Sequence, residues 1–378
     1  MEATDGTMEN MERNIGMSRE ELKRYEKKKV LITGHTGFKG SWMTQMLLKL
    51  GADVVGYALM PPTEPNLYTV LNLDKHIKSV EGDIRDYEHI ERVIREEKPD
   101  IVFHLAAQPI VRKSYEMPRQ TYETNVMGTI NVLESVRNTD TVQSVINVTT
   151  DKVYLNREWY WGYRENENLN GYDPYSNSKS CSELATETYR RSFFEKRGIA
   201  VSTMRAGNVI GGGDFAQDRI IPDCVRAAQQ GEKIIVRNPQ SIRPYQHVLE
   251  PITAYLMVAI RQYEDKKIAD AYNVGPDEQN CVATYKLVDL FCKEWSYIAG
   301  SEIGWEQQKM KNELHEARTL KLDCSKMKEL FGWKPVWNIE KTLEETVKWY
   351  YLASKKSEVS AFTNSQIERY LMTDNLYS

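Results

Sequence analysis

Short apolar runs alternate with longer amphipathic segments along the first part of the chain. The apolar runs lie at 30–33, 53–57, 77–80, 101–105, 144–148 and 200–204. Runs of this length are typical of buried strands. A helical spacing of apolar positions recurs between them, near 41–50, 86–97, 120–138 and 175–197. This alternation predicts the α/β class, with a doubly wound parallel sheet covered by helices on both faces.

The pattern changes after residue 205. A glycine-rich stretch at 211–214 marks a loop, and the segments 243–248 and 271–275 are predicted as strands that return to the first sheet. Further helices are expected near 284–296, 323–331 and 339–354. We expect these later elements to form a smaller, mostly C-terminal α/β lobe that binds a substrate.

These patterns divide the chain into a leader, a dinucleotide-binding domain, a second lobe and a tail. The polar leader is 1–27, the first domain is 28–207 with returning segments near 244–275, the lobe is 208–243 and 276–356, and the tail is 357–378. Ser18 and Glu21 are placed to cap a short helix in the leader. The tail is polar and is expected to be peripheral.

Composition and charge narrow the class of protein. Of the 378 residues, 41% are hydrophobic and 28% are charged, which is ordinary for a folded soluble protein. The net charge of −4 comes without a basic stripe, which argues against a nucleic-acid partner. The longest apolar run, 252–260, is too short to cross a bilayer, so no membrane association is expected. The five cysteines are scattered, which predicts reduced thiols, no metal site and a cytoplasmic location.

A glycine-rich loop lies between the first predicted strand and the first predicted helix. Gly34, Gly37 and Gly40 allow the backbone to approach a pyrophosphate, whose charge the helix N-terminus favours. A glycine-rich turn without a ligand is the alternative, which the position inside a βαβ unit disfavours. The other candidate cofactor ligands in the loop are Thr36, Phe38 and Lys39.

The residue that selects between NAD and NADP is not evident. The second strand ends at 56–62 with neither an acid for the ribose hydroxyls nor an arginine for a 2′-phosphate. Asp83 is placed either to reach the adenine or to cap the following helix, and both interpretations stay open. His35, inside the glycine loop, is interpreted as incidental. We expect NAD, with NADP as the less favoured alternative.

Tyr175 and Lys179 are four residues apart, so a helix places them on one face. An ammonium beside a phenol favours the phenolate and lowers the pKa of the phenol, which is near ~10 when free. A base of this kind takes the proton of an alcohol that is being oxidised. Isolated Tyr-x-x-x-Lys matches are common by chance, but the glycine loop upstream and Asn125 between the two favour the functional interpretation.

Together these motifs resemble those of the extended short-chain dehydrogenases/reductases, and among them the nucleotide-sugar 4,6-dehydratases. The general motifs are at 33–40, 83–86, 104–108, 125 and 175–179. The stretches that resemble the 4,6-dehydratases are 37–42, 149–152, 161–167, 171–176, 205–214 and 242–248. The resemblance runs from about residue 28 to residue 337 and implies a Rossmann sheet.

The resemblance implies an NAD that is tightly bound and regenerated in each turnover, with Lys179 on the nicotinamide ribose. The further cofactor contacts that it implies are Ile84, Leu105, Ala106, Ala107, Gln108 and Asn125. The substrate contacts that it implies are Gln108, Asn208, Arg219 and Arg243. Arginines suit the diphosphate of a sugar nucleotide. For His247, a place in the site and core packing are equally open.

The resemblance also implies a reaction sequence. Thr150 and Tyr175 bind the sugar O4, and oxidation at C4 acidifies the C5 proton. A base removes that proton while an acid protonates the departing C6 hydroxyl, and hydride then returns to C6. Lys152 stands where the dTDP-glucose enzymes have a glutamate base, a departure shared by the CDP-glucose branch of the family. The expected substrate is therefore CDP-glucose, in deoxysugar and O-antigen biosynthesis.

Two interpretations of Lys152 stay open. As the C5 base it must be a neutral amine, which burial and the charges of Lys179 and oxidised nicotinamide favour, and Asp151 is then the acid at C6. In the alternative, Lys152 only pairs with Asp151 and orients it.

Other functions predict different residues. An epimerase needs the Tyr175–Lys179 pair but not Asp151 and Lys152, and a dehydratase for a GDP- or dTDP-hexose differs in its nucleotide. An inactive NAD-sensing scaffold is expected to lose Tyr175 or Lys179, and both are present. In this family the helices near 120–138 and 175–197 usually form a dimer interface, so a homodimer, or else a tetramer, is expected.

Overall fold

A parallel sheet lies at the centre of the computed structural model, which describes residues 19–308, 318–355 and 357–373. The strands are β1 (Lys29–Thr33), β2 (Asp53–Ala58), β3 (Lys78–Glu81), β4 (Ile101–His104), β5 (Ser144–Val148), β6 (Ala200–Ala206), β7 (Val209–Ile210), β8 (Ile234–Val236), β9 (Ile242–Arg243), β10 (Gln246–His247), β11 (Ala271–Val274), β12 (Val282–Ala283) and β13 (Trp305–Gln307). Seven of them form the central sheet in the order β11-β6-β5-β4-β1-β2-β3. The predicted doubly wound parallel sheet is therefore confirmed.

Helices cover both faces of this sheet. They are α1 (Arg19–Lys23), α2 (Phe38–Lys49), α3 (Leu67–Val70), α4 (Tyr87–Glu97), α5 (Val111–Glu116), α6 (Pro118–Tyr122), α7 (Gly128–Arg137), α8 (Pro174–Tyr189), α9 (Glu195–Arg197), α10 (Ile220–Gln230), α11 (Leu249–Glu264), α12 (Thr284–Ala299), α13 (Ser325–Phe331), α14 (Ile339–Ser354) and α15 (Val359–Met372). Single π-helical turns at Glu123–Met127 and Arg190–Phe194 continue α6 into α7 and α8 into α9.

The strands of the sheet are apolar because both of their faces are covered. Alternate residues of β1 point to opposite sides, so Val30 and Ile32 join the core beneath α2 and α11, while Leu31 joins the core beneath α4 and α7. The long apolar run at 252–260 lies within α11, which is buried against β5 and β6. Among the described helices, none is long and apolar enough to span a membrane.

The segment 243–248 differs from its predicted place. Ala271–Val274 does join the central sheet, parallel to β6, as predicted. Residues 242–247 instead form two short strands: β9 pairs with β12, and β10 pairs with β7. Pro244 stands between these strands, and a proline cannot donate to a central ladder of hydrogen bonds. The prediction that this segment returns to the first sheet is therefore wrong.

Both ends of the described chain pack against the core, although the sequence predicts a polar leader and a peripheral tail. Helix α15 lies in the expected peripheral tail, yet Ile367 and Tyr370 are fully buried and the Tyr370 hydroxyl donates to Glu250 at 2.7 Å. In the expected solvated leader, Tyr25 is buried and its hydroxyl donates to the carbonyl of Leu256 at 2.7 Å. Helical spacing of a few apolar residues is enough for docking, even in a polar segment. The Ser18 cap lies outside the described residues.

Candidate active site

A cleft of about 1810 Å³ opens at the carboxyl ends of the central strands. The strand order reverses between β1 and β4, and such a reversal leaves a crevice there. The cleft is lined by the glycine loop, by segments that follow β2 to β6, by the start of α8 and by residues between 206 and 245. Residues that are far apart in the sequence line it, so most of the cofactor and substrate candidates share one space.

The glycine loop is shaped for close approach of a ligand. Gly34 has a φ of +79°, and a Cβ there would lie 2.8 Å from the amide nitrogen of Ala106. A Cβ on Gly40 would lie 2.2 Å from the Gly34 carbonyl oxygen, so this glycine allows α2 to pack on the turn. A Cβ on Gly37 would meet only that oxygen, at 3.4 Å, and the residue otherwise faces the cleft. These positions fit a dinucleotide pyrophosphate at the N-terminus of α2.

Almost all the predicted cofactor residues line this cleft. They are Gly34, Thr36, Gly37, Phe38, Lys39, Gly40, Asp83, Ile84, Leu105, Ala106, Ala107, Gln108, Tyr175 and Lys179. Asn125 differs, because it is buried behind the wall. Its side chain accepts from the amide of Gln108 at 2.8 Å and donates to Ser178 at 2.9 Å, which ties the segment after β4 to α8. The expectation that Asn125 contacts the cofactor is therefore corrected to a supporting position.

The adenine end of the cleft has no free acid at the end of β2. Leu59 and Met60 form an exposed apolar lip there. Asp83 lines the cleft but is already paired with Arg85 at 2.6 Å, which lowers the pKa of its carboxyl. His35 lies outside the cleft lining, hydrogen-bonded to Ser79 at 2.7 Å, and burial lowers its pKa to about 4.

Helix α8 places the tyrosine and the lysine. Asp173 caps the helix by accepting from the amide of Ser176 at 3.0 Å, and Pro174 occupies the first helical position. Both features favour a helix start at this point. Tyr175 and Lys179 therefore share the face that turns toward the cleft, and Lys179 donates to the carbonyl of Val148 at 3.1 Å.

Burial dominates the electrostatics of this pair. It raises the pKa of Tyr175 to about 12, an effect that hydrogen bonding with Thr150 opposes. Burial also lowers the pKa of Lys179 to about 8, against the effect of Glu183. The expected lowering of the tyrosine pKa by Lys179 is therefore not found, and burial of the phenol raises the pKa instead.

The turn after β5 carries Thr150, Asp151 and Lys152. Thr150 and Lys152 line the cleft, whereas the side chain of Asp151 is fully buried just behind it. One oxygen of Asp151 accepts from the Thr150 hydroxyl at 3.0 Å and from the Lys152 ammonium at 3.4 Å. The other oxygen has no hydrogen-bond partner among the described residues. Lys152 therefore does contact Asp151, which the orienting interpretation of the lysine requires.

Lys39 reaches further into the site than its place in the glycine loop indicated. Its ammonium lies 5.8 Å from the ring centroid of Tyr255, a buried residue of α11. Burial first, and then the charges of Arg219 and Lys179, lower the pKa of Lys39 to about 7. The sequence shows a lysine in a phosphate-binding loop but does not show which way it points.

The opposite wall of the cleft carries the predicted phosphate ligands. Arg219 precedes α10 and pairs with Asp214 at 2.8 Å, and Arg243 lines the cleft although it is largely buried. Asn208 has a buried side-chain oxygen without a partner among the described residues. Two arginines that sequence reasoning missed also line this space, Arg112 and Arg237. No motif marks them, since they come together only through the fold.

His247 is not part of the cleft. It is fully buried, with its ring 4.7 Å from Trp337 and 5.8 Å from Trp42, centroid to centroid. Burial lowers its pKa to about 3, so the imidazole is neutral. The expected substrate contact is therefore wrong, and the core-packing alternative is correct. Within the described ranges, no cluster of three or more acidic, histidine or cysteine side chains is arranged to hold a metal.

The fold is a Rossmann-type α/β fold with a cleft at the carboxyl ends of its strands, and comparison with known proteins defines the family. Residues 31–346 match the family model described as GDP-mannose 4,6 dehydratase. The chain therefore belongs to this family of nucleotide-sugar 4,6-dehydratases.

Within the family, the chain is 46% identical to a CDP-glucose 4,6-dehydratase from Salmonella typhimurium, over 92% of this chain and 97% of the relative. A dTDP-glucose 4,6-dehydratase from Xanthomonas campestris is 27% identical, over 85% and 92% of the two chains.

Solved structures share the fold. A dTDP-glucose 4,6-dehydratase from Streptomyces venezuelae, described with NAD bound, has a TM-score of 0.72 and 23% identity, over 87% of this chain and 99% of the other. A UDP-glucose 4-epimerase from Thermotoga maritima has a TM-score of 0.74 and 23% identity, over 86% and 99% of the two chains. The same fold therefore serves both dehydration and epimerisation, and the side chains of the cleft must separate them.

Proposed function

We propose that this protein dehydrates CDP-D-glucose to CDP-4-keto-6-deoxy-D-glucose. The observation that carries the proposal is that Thr150 and Lys152 line one cleft with Tyr175 and Lys179, while Asp151 lies buried just behind them. The 46% identity to a CDP-glucose 4,6-dehydratase over nearly the whole chain supports the nucleotide. The product would enter deoxysugar biosynthesis, including that of O-antigens, in the cytoplasm.

The glycine loop and the face of α8 are the proposed cofactor site. When bound, a nicotinamide cofactor supplies reversible acceptance of hydride from C4 and its return to C6. Lys179 would hold the nicotinamide ribose, and the loop amides would hold the pyrophosphate. We favour NAD over NADP because no unpaired arginine follows β2 at the adenine end, where Arg85 is paired with Asp83.

Tyr175 and Thr150 are proposed to hold the sugar O4 and to take its proton. Burial raises the pKa of Tyr175 to about 12, and the hydrogen bond with Thr150 lowers the pKa against that effect. The two hydroxyls then share the proton of O4, so that alcohol and ketone are both bound. Lys179 and Thr150 keep the phenol in the orientation that this transfer needs.

The elimination of water is proposed to use the amine and the acid of the turn as base and acid. Lys152, as a neutral amine, takes the C5 proton, and Asp151 gives a proton to the C6 hydroxyl as it departs. Lys152 lines the cleft, and the fully buried side chain of Asp151 lies directly behind it. The alternative role, in which Lys152 orients Asp151, is supported by their 3.4 Å contact.

Product formation from different nucleotides tests the substrate. The purified protein with added NAD is incubated separately with CDP-glucose, dTDP-glucose and GDP-mannose, and the 4-keto product is measured by its absorbance in alkali. We expect product from CDP-glucose. Activity with only the GDP or dTDP sugar would refute the nucleotide assignment, and epimerised sugar without a 4-keto product would indicate an epimerase.

Exchange of the C5 proton with solvent deuterium tests Lys152. We expect Lys152→Ala to lose exchange by about 10²-fold or more, because a positioned base contributes that much. Lys152→Glu restores a base and is expected to recover part of the rate. Lys113→Ala, which removes a charge from the rim of the same cleft, is the matched control. If Lys152→Ala exchanges the C5 proton at the wild-type rate, Lys152 is not the base, and its role is to orient Asp151.

We also propose a homodimer through the helices that flank the catalytic face. Large apolar side chains are exposed on this side of the protein: Met117, Met127, Leu184 and Phe193. An exposed apolar patch commonly marks an interaction surface. Leu184→Glu is expected to give monomers in light scattering, whereas Leu330→Glu, at an equally exposed leucine of α13, is expected to leave the dimer intact. A dimer that persists in Leu184→Glu would place the interface elsewhere.

A further inference from the structure

A buried ion pair lies directly behind the catalytic turn. Glu183 is on α8, two helical turns after Tyr175 and one turn after Lys179. Arg205 is on β6, and its guanidinium donates to the Glu183 carboxylate at 2.8 Å. The two side chains are only 2% and 4% exposed, so both charges have been removed from water. Arg205 opens the family-like stretch 205–214, but the proposed reaction gives no role to either residue.

Stability alone does not explain such a pair. Taking two charges out of water costs several kcal/mol, and apolar residues of similar volume often stabilise a protein as well or better. A buried pair that is fully hydrogen-bonded, however, fixes the relative positions of the elements it joins. The partners of this pair are therefore informative.

The pair holds the turn on both sides. Before the turn, the hydroxyl of Thr149 donates to Glu183. After the turn, the hydroxyl of Tyr154 accepts from Arg205 at 2.9 Å and donates to Asn273 of β11 at 2.6 Å. The second Glu183 oxygen also accepts from Thr203 of β6 at 2.6 Å. The residues that flank Thr150, Asp151 and Lys152 are thus tied to the helix that carries the tyrosine and the lysine.

We propose that Glu183 and Arg205 are positioning residues that lock the catalytic turn against α8 and hold a buried carboxylate one helical turn from Lys179. This inference rests on the proposed function. Glu183 acts through Lys179 and through Thr149, since its own carboxylate does not reach the large cleft.

The surroundings of Lys179 support the electrostatic part. The titratable groups that interact with it are Lys39 from the glycine loop, His104 at the end of β4 and Glu183 on its own helix. Burial keeps the pKa of His104 near 3, so this imidazole is neutral, and Lys39 repels the ammonium of Lys179. Glu183 is the acid of the set, and it opposes the effect of burial on the pKa of Lys179.

The pH profile of Glu183→Gln tests the inference. Glutamine preserves the shape and can still accept from Thr149, but it has no charge. The rate of 4-keto product formation from CDP-glucose, with NAD supplied, is followed against pH. We expect the alkaline limb to move to lower pH by at least ~0.5 pH unit, because Lys179 loses its ammonium form earlier. We also expect kcat to fall more than KM rises, because the turn is misplaced after binding.

A double variant separates this effect from loss of stability. Glu183→Gln alone leaves Arg205 buried without its counter-charge, which commonly costs 3–5 kcal/mol. Glu183→Gln with Arg205→Met removes the pair as a unit and is expected to recover melting temperature but keep the alkaline shift. The control is Thr186→Val on the same helix, which loses a buried 2.8 Å hydrogen bond from Asn147 and is expected to leave the pH profile unchanged.

The outcomes are distinct. An alkaline limb that stays in place in the double variant overturns the inference while leaving the proposed function intact. An equal shift in Thr186→Val also overturns it, because the effect then follows any damage to α8. A wild-type protein that forms no 4-keto product contradicts the proposed function instead.

Discussion

The two walls of the cleft are built in different ways. The catalytic wall stands on regular elements, since the Thr150–Lys152 turn ends β5 and Tyr175 and Lys179 share one face of α8. The opposite wall, between Asn208 and Arg243, consists of loops, α10 and strands of two or three residues. Regular elements fix side chains by periodicity, whereas the opposite wall depends on contacts with distant parts of the chain. Chemistry is therefore expected to reside on the first wall and substrate affinity on the second.

The largest effect is expected on the catalytic wall, from Tyr175→Phe. Loss of the phenol removes the group that takes the O4 proton, and such groups contribute roughly 10²–10⁴-fold to a rate. We expect kcat to fall by about 10³-fold with little change in KM or melting temperature. Steady-state rates of 4-keto product formation measure this. A variant with unchanged kcat would remove Tyr175 from the chemistry.

Periodicity explains which parts of this site could be predicted. The order of strands, loops and helices predicts that the glycine loop, Tyr175 and Lys179 lie at one edge of the sheet. The spacing of four between Tyr175 and Lys179 settles their common face. Burial is not visible in this way, so the high pKa of Tyr175 was not foreseen.

The opposite wall shows what sequence patterns leave undetermined. His247 and Arg243 look equivalent in a predicted strand, yet Pro244 breaks that strand and the two side chains enter different environments. The sequence predicts a peripheral tail where helix α15 lies, because few apolar residues stand among the polar ones there. Its place is set by Trp349 and Glu250, which are near it only in the folded chain.

The second prediction concerns Glu250, a buried residue near the start of α11. Its buried carboxyl accepts from the amides of Val336 and Trp337 and from Tyr370, and burial raises its pKa from 4.5 to about 7. A carboxyl with a higher pKa in the folded protein stabilises it at low pH, and this stabilisation is lost as the pH rises through the folded value. The free energy of unfolding is therefore expected to fall between about pH 4.5 and pH 7.

Denaturant unfolding at several pH values measures this contribution. The shift corresponds to about 3 kcal/mol as an upper limit. Glu250→Gln is neutral throughout and is expected to remove that part of the pH dependence, whereas Glu264→Gln, at an exposed position of the same helix, is expected to retain it. A slope that is identical in wild type and Glu250→Gln would show that the carboxyl is ionised in the folded state throughout this range.

Arg219→Met tests whether the opposite wall contributes affinity. A hydrogen bond to a charged group is worth about 1.5–3 kcal/mol, so we expect KM for CDP-glucose to rise about 10–100-fold with a small change in kcat. Arg226→Met is the control, because Arg226 lies on α10 but outside the cleft lining. A loss confined to kcat would show that Arg219 acts in the chemical step and not in substrate affinity.

The smallest effect is expected from His247→Phe, because this residue lies in the core and does not line the cleft. The ring packs between Trp42 and Trp337, so a phenyl ring can fill the space, at the cost of the hydrogen bond from the Leu249 amide to the imidazole. We expect the free energy of unfolding to change by less than about 1.5 kcal/mol, as for other swaps of similar volume. KM and kcat are expected to stay at wild-type values. A rise in KM without loss of melting temperature would return His247 to the substrate site and blur the distinction between the wall and the core behind it.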